Sequence, residues 1–485
     1  MEDVSPRVDV LSETIALSTC GNTKNIIITA MDVKGPFDVQ AGEEAARRAS
    51  QSFPQLMSCI REVSSRGVHY LEWERRLDEP LPVFLAEMPE SCRTDNLLDD
   101  MIRVMKPRLE RDWDLFRQIA VEFHFIRLGP ERNLMASVCH HVAGDGGTAS
   151  ESGREFLLNY HQIMRGSKPE WAKDEPALST VRKRPVRTQL KGWAETIRES
   201  HRGFMQIFER PLEPIGTGSK TDLSQHLAKR LLSEEQSAAV FFSALQSGVN
   251  FVDSLTACAN LAIDTWNSRR GGKSGLLTTA MTVNTRGRFS EYDTPNNSSV
   301  IVFRSLPEQR KDPSDFLRHL ARMRIRHFRE QRDVTMLHNI RRLNRSLRLF
   351  PYHVRRLLMH LFLQNHRFSI AVTLLGTVWP KLVNGRPTGD SSVTTSADLE
   401  VSEVHGIGYK LHSGTRLLLI AYAYRNRLNL ILEAAGSLFT REETESFLDL
   451  IVEMLFSDIL VMDGARGRRS TGSSRRSIGG EASQA

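Results

Sequence analysis

The chain has 485 residues, 40% of them hydrophobic and 25% charged, and a formal net charge of +7. This length can bury a sizeable core, and the balance excludes both a wholly disordered chain and a membrane bundle. The best apolar run, Leu417 to Tyr424, is too short to cross a bilayer.

A strand is expected over Asn25 to Met31, then a helix from about Ala41 to Ser52 that ends before Pro54. Strands follow near Val68 to Trp73 and Arg117 to Arg127, and a turn at Gly129-Pro130 leads into an apolar strand, Leu134 to Cys139. This strand runs into HHVAGDG, His140 to Gly146, and a helix-like stretch from Thr148 to Met164. From Gly166 to Asp222 the chain is polar, with Pro169, Pro176, Pro185, Pro211 and Pro214 and the basic run VRKRPVR. It reads as a crossover with some helix around Thr188 to Phe208. The second half opens near Leu223 with a strand, His226 to Leu232, and a helix start at Ser233-Glu234-Glu235. A helix is expected over Asn250 to Arg269, with strands at Leu276 to Val283, Ser298 to Phe303 and Phe368 to Leu374. After a loop, Arg416 to Tyr424 and Arg427 to Leu432 alternate as a hairpin about Arg425-Asn426, and a last helix reaches about Leu460. Strands and helices mix without a regular βαβ beat, which makes the fold class α+β.

The chemistry concentrates in HHVAGDG. Adjacent side chains on a strand point to opposite faces, so one of His140 and His141 can be given over to catalysis. Gly144, Gly146 and Gly147 permit a tight turn that brings Asp145 back. A histidine at a strand end with a nearby carboxylate suits a general base. Two other readings use the same residues: a structural histidine beside a surface one, and a metal site. No third ligand at zinc-motif spacing accompanies the pair.

HHVAGDG resembles HHxxxDG, the signature of the chloramphenicol-acetyltransferase-like superfamily. That group includes nonribosomal peptide condensation domains, polyketide-associated acyltransferases and bacterial wax ester synthases. The resemblance extends loosely from Asn25 to Leu460. It implies two acetyltransferase-like subdomains arranged as a V around a central tunnel. The subdomains would span residues 1–165 and 223–462, with 166–222 as crossover and 463–485 as a disordered basic tail. TTAMTVNTRGRF, Thr278 to Phe289, resembles the segment that enters the family's cleft, and Asn296-Asn297 resembles its Gly-Asn region without the glycine. The closing strands and helix have the family's rhythm.

The chain also departs from the pattern. Phe53-Pro54-Gln55-Leu56-Met57 puts methionine where condensation domains often carry an arginine that pairs with the motif aspartate. Arg61 or Arg286 is the expected substitute partner of Asp145. The DFGWG motif of plant acyltransferases is missing, and the SPxD of wax ester synthases is only echoed by Ser5-Pro6-Arg7-Val8-Asp9.

The resemblance implies acyl transfer from a thioester to a hydroxyl or amine. His141 would be the general base, His140 a packing residue and Asp145 an architect of the loop. Gly146 would allow the turn, and Asn284 or a backbone amide would meet the oxyanion. No cofactor is expected to be tightly bound: acyl-CoA, or a phosphopantetheine thioester on an acyl-carrier protein, is the co-substrate. With no adenylation or carrier-like segment in the chain, a discrete acyl-CoA enzyme is expected. The alternatives are a freestanding condensation enzyme with a carrier-bound donor and a non-catalytic scaffold.

Five scattered cysteines without CxxC spacing, and an N-terminus without a signal core, suggest a cytoplasmic protein, at most peripheral at a membrane. Cys139 beside His140 reads as a buried inert thiol rather than a nucleophile. From Asp315 to Arg367 arginines crowd amphipathic helices, the last opened by Pro351. Coenzyme A phosphates, an acidic carrier protein and an anionic membrane surface all suit such faces, as does plain solvation. Nucleic acid does not fit, because aromatic interleaving is sparse and no zinc or RNA-binding strand motif occurs. The last 22 residues carry five arginines and one glutamate.

Overall fold

The structure, a computed structural model, describes residues 7–19, 21–35, 37–76, 79, 81–90, 96–166, 210–284, 296, 298–330, 343–364, 368–383, 386–391, 400–410 and 415–457. The expected helix at Thr188 to Phe208, Arg286 and the basic tail lie outside these residues.

The first half runs α1 (Val10–Ser18), β1 (Ile26–Lys34), α2 (Val39–Gln51), the hairpin β2 (Ser58–Ser65) and β3 (Val68–Arg75), and β4 (Val83–Glu87). Then come α3 (Leu97–Leu109), the hairpin β5 (Val121–Gly129) and β6 (Arg132–His140), and α4 (Gly146–Arg165). The second half holds β7 (Gln225–Leu231), α5 (Glu234–Gln246), α6 (Phe251–Arg269), β8 (Leu277–Asn284), β9 (Ser298–Ser305) and α7 (Pro313–Arg329). It closes with α8 (Tyr352–Gln364), β10 (Ile370–Thr377), β11 (Pro380–Val383), β12 (Arg386–Ser391), β13 (Glu400–Tyr409), β14 (Leu417–Tyr424), β15 (Arg427–Ala435) and α9 (Arg441–Phe456).

Two sheets organise the molecule, in strand orders β13-β1-β6-β5-β4 and β7-β15-β14-β10-β8-β9. β1 and β6 are buried almost end to end, which explains their unbroken apolar character. Ile28, Phe123, Val138, Phe156 and Tyr160 anchor the core of the first sheet. Trp266, Leu430, Phe439 and Phe447 anchor that of the second. The β14–β15 turn places Arg425 and Asn426 at φ 49° and 58°, the left-handed pair that a two-residue hairpin needs.

β13 departs from the expected layout. The chain between the fourth strand of the second half and the closing hairpin reads as loop, yet Glu400–Tyr409 forms an edge strand of the first sheet, antiparallel to β1. Its other side is tied to the second sheet. Glu433 on β15 accepts from the Gly408 N–H at 2.6 Å and from Gln225 Nε2 at 2.8 Å, and Lys229 pairs with Glu403. Burial pushes Glu433 up to about 8, despite these two donors. One strand therefore stitches the two halves together. Trp379 adds a second tie: its indole donates to the Ser150 carbonyl of α4 at 3.0 Å.

The basic helices form where expected, but several of their arginines are satisfied inside the fold. Arg324 pairs with the buried Asp253 at 2.7 Å, whereas Arg326 stays on the surface and pairs with Glu330 at 2.7 Å. Arg348 and Arg355 both reach Glu13 on α1 at 2.6 Å. Among the described residues no helix is long and apolar enough to cross a membrane.

Candidate active site

β6 ends at His140, and His141 opens a single 3-10 turn, His141–Ala143. The expectation that both histidines lie on the strand is thus corrected. The His141 N–H still bonds the Asn25 carbonyl at 2.7 Å, one step beyond the Ile26–His140 pair of the β1–β6 ladder, and the chain then leaves the sheet. Asn25 sits in the left-handed region at φ 50°, and its amide donates to Ser18 Oγ at 3.1 Å and Thr19 Oγ1 at 2.9 Å at the end of α1.

The two imidazoles have different surroundings. His140 is fully buried, in edge contact with Trp113. Its Nδ1 accepts the Val142 N–H at 3.1 Å, so its proton lies on Nε2, facing Thr19 Oγ1 at 3.3 Å. Burial, with the neighbouring His141, pushes it down to about 3. It is a neutral packing residue. His141 is partly exposed, and its Nδ1 faces Asn296 Oδ1 at 3.2 Å. Asn296 is itself buried, and its nitrogen lies 2.8 Å from the His141 carbonyl, 3.0 Å from the Val142 carbonyl and 2.8 Å from Ser12 Oγ. Two carbonyls can only meet the NH2 end of that amide, so Oδ1 must accept the proton from Nδ1. His141 is held as the Nδ1–H tautomer, with the Nε2 lone pair available as a base. Burial lowers its pKa, while the carbonyls of His141 and Gly144, the Asp145 carboxylate and Asn296 pull the other way.

Asp145 caps α4, Oδ1 accepting from the Thr148 N–H at 3.0 Å, and is buried. Of its two expected arginine partners, Arg61 lies on the β2–β3 hairpin and pairs with Glu72 at 2.9 Å. The cross-strand register puts Arg61 directly opposite Glu72, which explains that pairing. Gly146 is the first residue of α4, and a Cβ there would meet Leu375 of β10 at 3.0 Å, so the turn lies against the second half. Gly144 is extended at φ −179°, but a Cβ would come within 2.7 Å of Thr148 Cβ. Gly144→Ala is expected to destabilise the protein by about 1–3 kcal/mol through overpacking, read as a lower Tm. An unchanged Tm would show that Thr148 can move.

Asn284 closes β8 with its side chain exposed, in register with Ser298. The residue of the second half that meets His141 is Asn296, which the sequence marked only as an echo of a Gly-Asn region. Its role depends on a contact 155 positions away in sequence, for which no local pattern exists. The Cys139 thiol is buried and pushed up to about 12, against a nucleophilic role. Among the described residues no cluster of His, Cys, Asp or Glu could hold a metal ion.

No family profile matches the chain. Solved structures align over nearly all of it. The trichothecene 15-O-acetyltransferase from Fusarium sporotrichioides has a TM-score of 0.66 at 9% identity, covering 93% of this chain and 94% of that one. The first condensation domain of the calcium-dependent antibiotic synthetase, in complex with a substrate analogue, gives 0.62 at 12%, covering 95% and 97%. The chain has the chloramphenicol-acetyltransferase-like fold. The epimerization domain from the third module of tyrocidine synthetase B shares this fold, at 0.61 and 11%, covering 94% and 98%. One curated relative, a probable non-canonical nonribosomal peptide synthetase from Salinispora arenicola, is 22% identical over 207 residues. That alignment covers 39% of this chain and only 2% of the relative's length. In this acetyltransferase-like fold the strand–turn carrying His141 is built from the first half, and the Asn296 that orients it comes from the second.

Proposed function

We propose that the protein is an acyltransferase that moves an acyl group from a pantetheine thioester to a hydroxyl or amine, with His141 as general base. The observation that carries this reading is the tautomer lock: Asn296 Oδ1 accepts the Nδ1 proton, which leaves Nε2 to take one from the acceptor. As the acceptor O–H or N–H loses its proton to Nε2, its oxygen or nitrogen bonds to the thioester carbonyl carbon. The tetrahedral oxyanion then collapses, the C–S bond breaks, and the proton on Nε2 passes to the leaving thiolate. The thioester is already activated, so His141 need not carry the acyl group. Asn284 or a backbone amide would donate to the oxyanion. Asp145 keeps the turn in place, with Arg286 as its proposed partner.

Acyl-CoA is the first donor to test. A carrier-bound donor is the second reading, and the α8 region favours it. Leu349, Val354, Leu357 and Leu361 are exposed there, Leu349 by 67% and Leu357 by 58%, and Arg345 is exposed beside them. No Asp or Glu occurs between Val334 and Gly389. An apolar stripe with a positive rim suits an acidic carrier domain better than free coenzyme A. The test offers the same acyl groups as CoA thioesters and on a holo carrier protein, with pooled alcohols and amines. Turnover that falls with added salt on the carrier alone would assign the carrier donor; equal turnover on CoA would assign CoA.

The pH profile follows from the lowered pKa of His141. A base with a depressed pKa stays deprotonated further into acid. On the active donor, kcat/KM is expected to hold as pH falls through about 6.5, the ordinary histidine value, and to decline only below it. An acid limb centred above that value would point to a different base.

A further inference from the structure

The hydrogen bonds behind Asn296 do not end at the two carbonyls of the turn. Asp9, the N-cap of α1, uses its oxygens differently. Oδ1 accepts from the backbone N–H of Leu11 and of Ser12, each at 3.0 Å, which caps the helix. Oδ2 accepts the Ser12 hydroxyl proton at 2.6 Å. With its proton committed to a carboxylate, Ser12 Oγ turns a lone pair toward Asn296 Nδ2, 2.8 Å away. The line runs carboxylate, hydroxyl, amide, imidazole, and Asn296 Nδ2 shares its two hydrogens among Ser12 Oγ and the two turn carbonyls. Ser12 has no exposed surface, and Asn296 is 2% exposed, so water does not substitute for either link.

We propose that Asp9 and Ser12 are positioning residues for His141: the Asp9–Ser12–Asn296 line orients the Asn296 amide and so holds the catalytic tautomer. This rests on the reading of His141 as the base. It gives α1 a task beyond packing, because the short helix presents the reverse side of the site to both halves of the molecule. The line is directional, and charge-assisted at its Asp9 end, where hydrogen bonds are strongest.

Asp9→Asn separates the positioning role from the capping role. Asparagine caps helices about as well as aspartate, and its Oδ1 still serves the two backbone donors. Its NH2 then takes the place of Oδ2 and donates to Ser12 Oγ. The Ser12 proton is displaced toward Asn296 Nδ2, where two donors face each other. The experiment uses the full chain labelled with 15N-histidine, with the His141 signals assigned by their loss in His141→Ala. The native ring should show a protonated Nδ1 and an unprotonated Nε2. In Asp9→Asn this signature should give way to a tautomer mixture. The kcat for release of free CoA, or of carrier thiol, should fall about tenfold or more, with KM and Tm little changed. If Asp9→Asn loses its fold, Ser12→Ala reads the same link, because it removes the hydroxyl and leaves the cap intact. A native His141 signature and native kcat in the folded variant would overturn the proposal. That result, with His141→Ala inactive, would remove the positioning line and leave the base in place. An active His141→Ala would remove the base itself.

Discussion

His141→Ala should lower acyl transfer by about 100- to 10,000-fold, the usual worth of a general base, with the protein still folded. The structure gives both halves of that expectation. His141 makes its main structural bond through its backbone, N–H to the Asn25 carbonyl at 2.7 Å, and alanine keeps it. The Asn296 amide keeps its contacts with the carbonyls of residue 141 and Val142 and with Ser12. Only Asn296 Oδ1 loses its imidazole donor, a cost on the order of 1–3 kcal/mol for a buried acceptor. Circular dichroism should therefore be native while thiol release is nearly abolished. A loss below about tenfold would mean that proton transfer is made elsewhere and that the imidazole only fills space.

The largest effect on stability is expected at Glu13. Its carboxylate, without exposed surface, holds two guanidinium groups, Arg348 Nη2 and Arg355 Nη1, each at 2.6 Å, and the Arg355 side chain is equally inaccessible. Glu13→Ala leaves Arg355 buried, with the Glu62 carboxylate at 3.6 Å as a more distant ion-pair partner. Breaking a buried pair from one side costs about 3–5 kcal/mol, because the remaining charge has lost both water and counter-charge. Denaturant titration of Glu13→Ala should show a loss of that size. Glu44, which holds Arg47 and Arg48 on the largely open face of α2, provides the contrast: Glu44→Ala should cost under about 1 kcal/mol. Equal losses at the two sites would show that the α1–α8 pairing is solvated in solution.

Elements that bury a complete face were legible in the sequence. β6, α4, α6, β14, β15 and α9 appear within a few residues of their expected positions, because their apolar periodicity is strong and helix ends carry signals such as the Thr440 cap and the Asp253 carboxylate that accepts the Asn250 N–H. α1 and β13, like β2, β4 and α3, were not marked by the sequence, and the first two for different reasons. α1 is only nine residues long and its buried side includes Ser12 and Glu13, so no apolar stripe marks it. β13 reads EVSEVHGIGY, with two glycines, two glutamates and a histidine, so neither alternation nor β propensity marks it; the partners that stabilise it come from β1, β7 and β15. The site divides in the same way. HHVAGDG is contiguous and its glycines and acid report a turn directly, so His140, His141, Asp145 and Gly146 could be named. Asn296 and Ser12 acquire their meaning only when α1, the motif turn and the entry to β9 come together, and no spacing rule links positions 12, 141 and 296. The arginine-rich helices were expected to carry mostly positive polar faces, and Arg324, Arg348 and Arg355 turn inward to buried acids.

The claim that this fold carries out acyl transfer is tested most directly by thiol release from wild-type protein, followed with and without acceptor on a panel of CoA and carrier-bound acyl thioesters. Release that appears only when an alcohol or amine is present, in step with formation of the acylated acceptor, is the expected result. Absence of release on every donor, or release independent of acceptor, would contradict the account and leave a chloramphenicol-acetyltransferase-like scaffold used for binding.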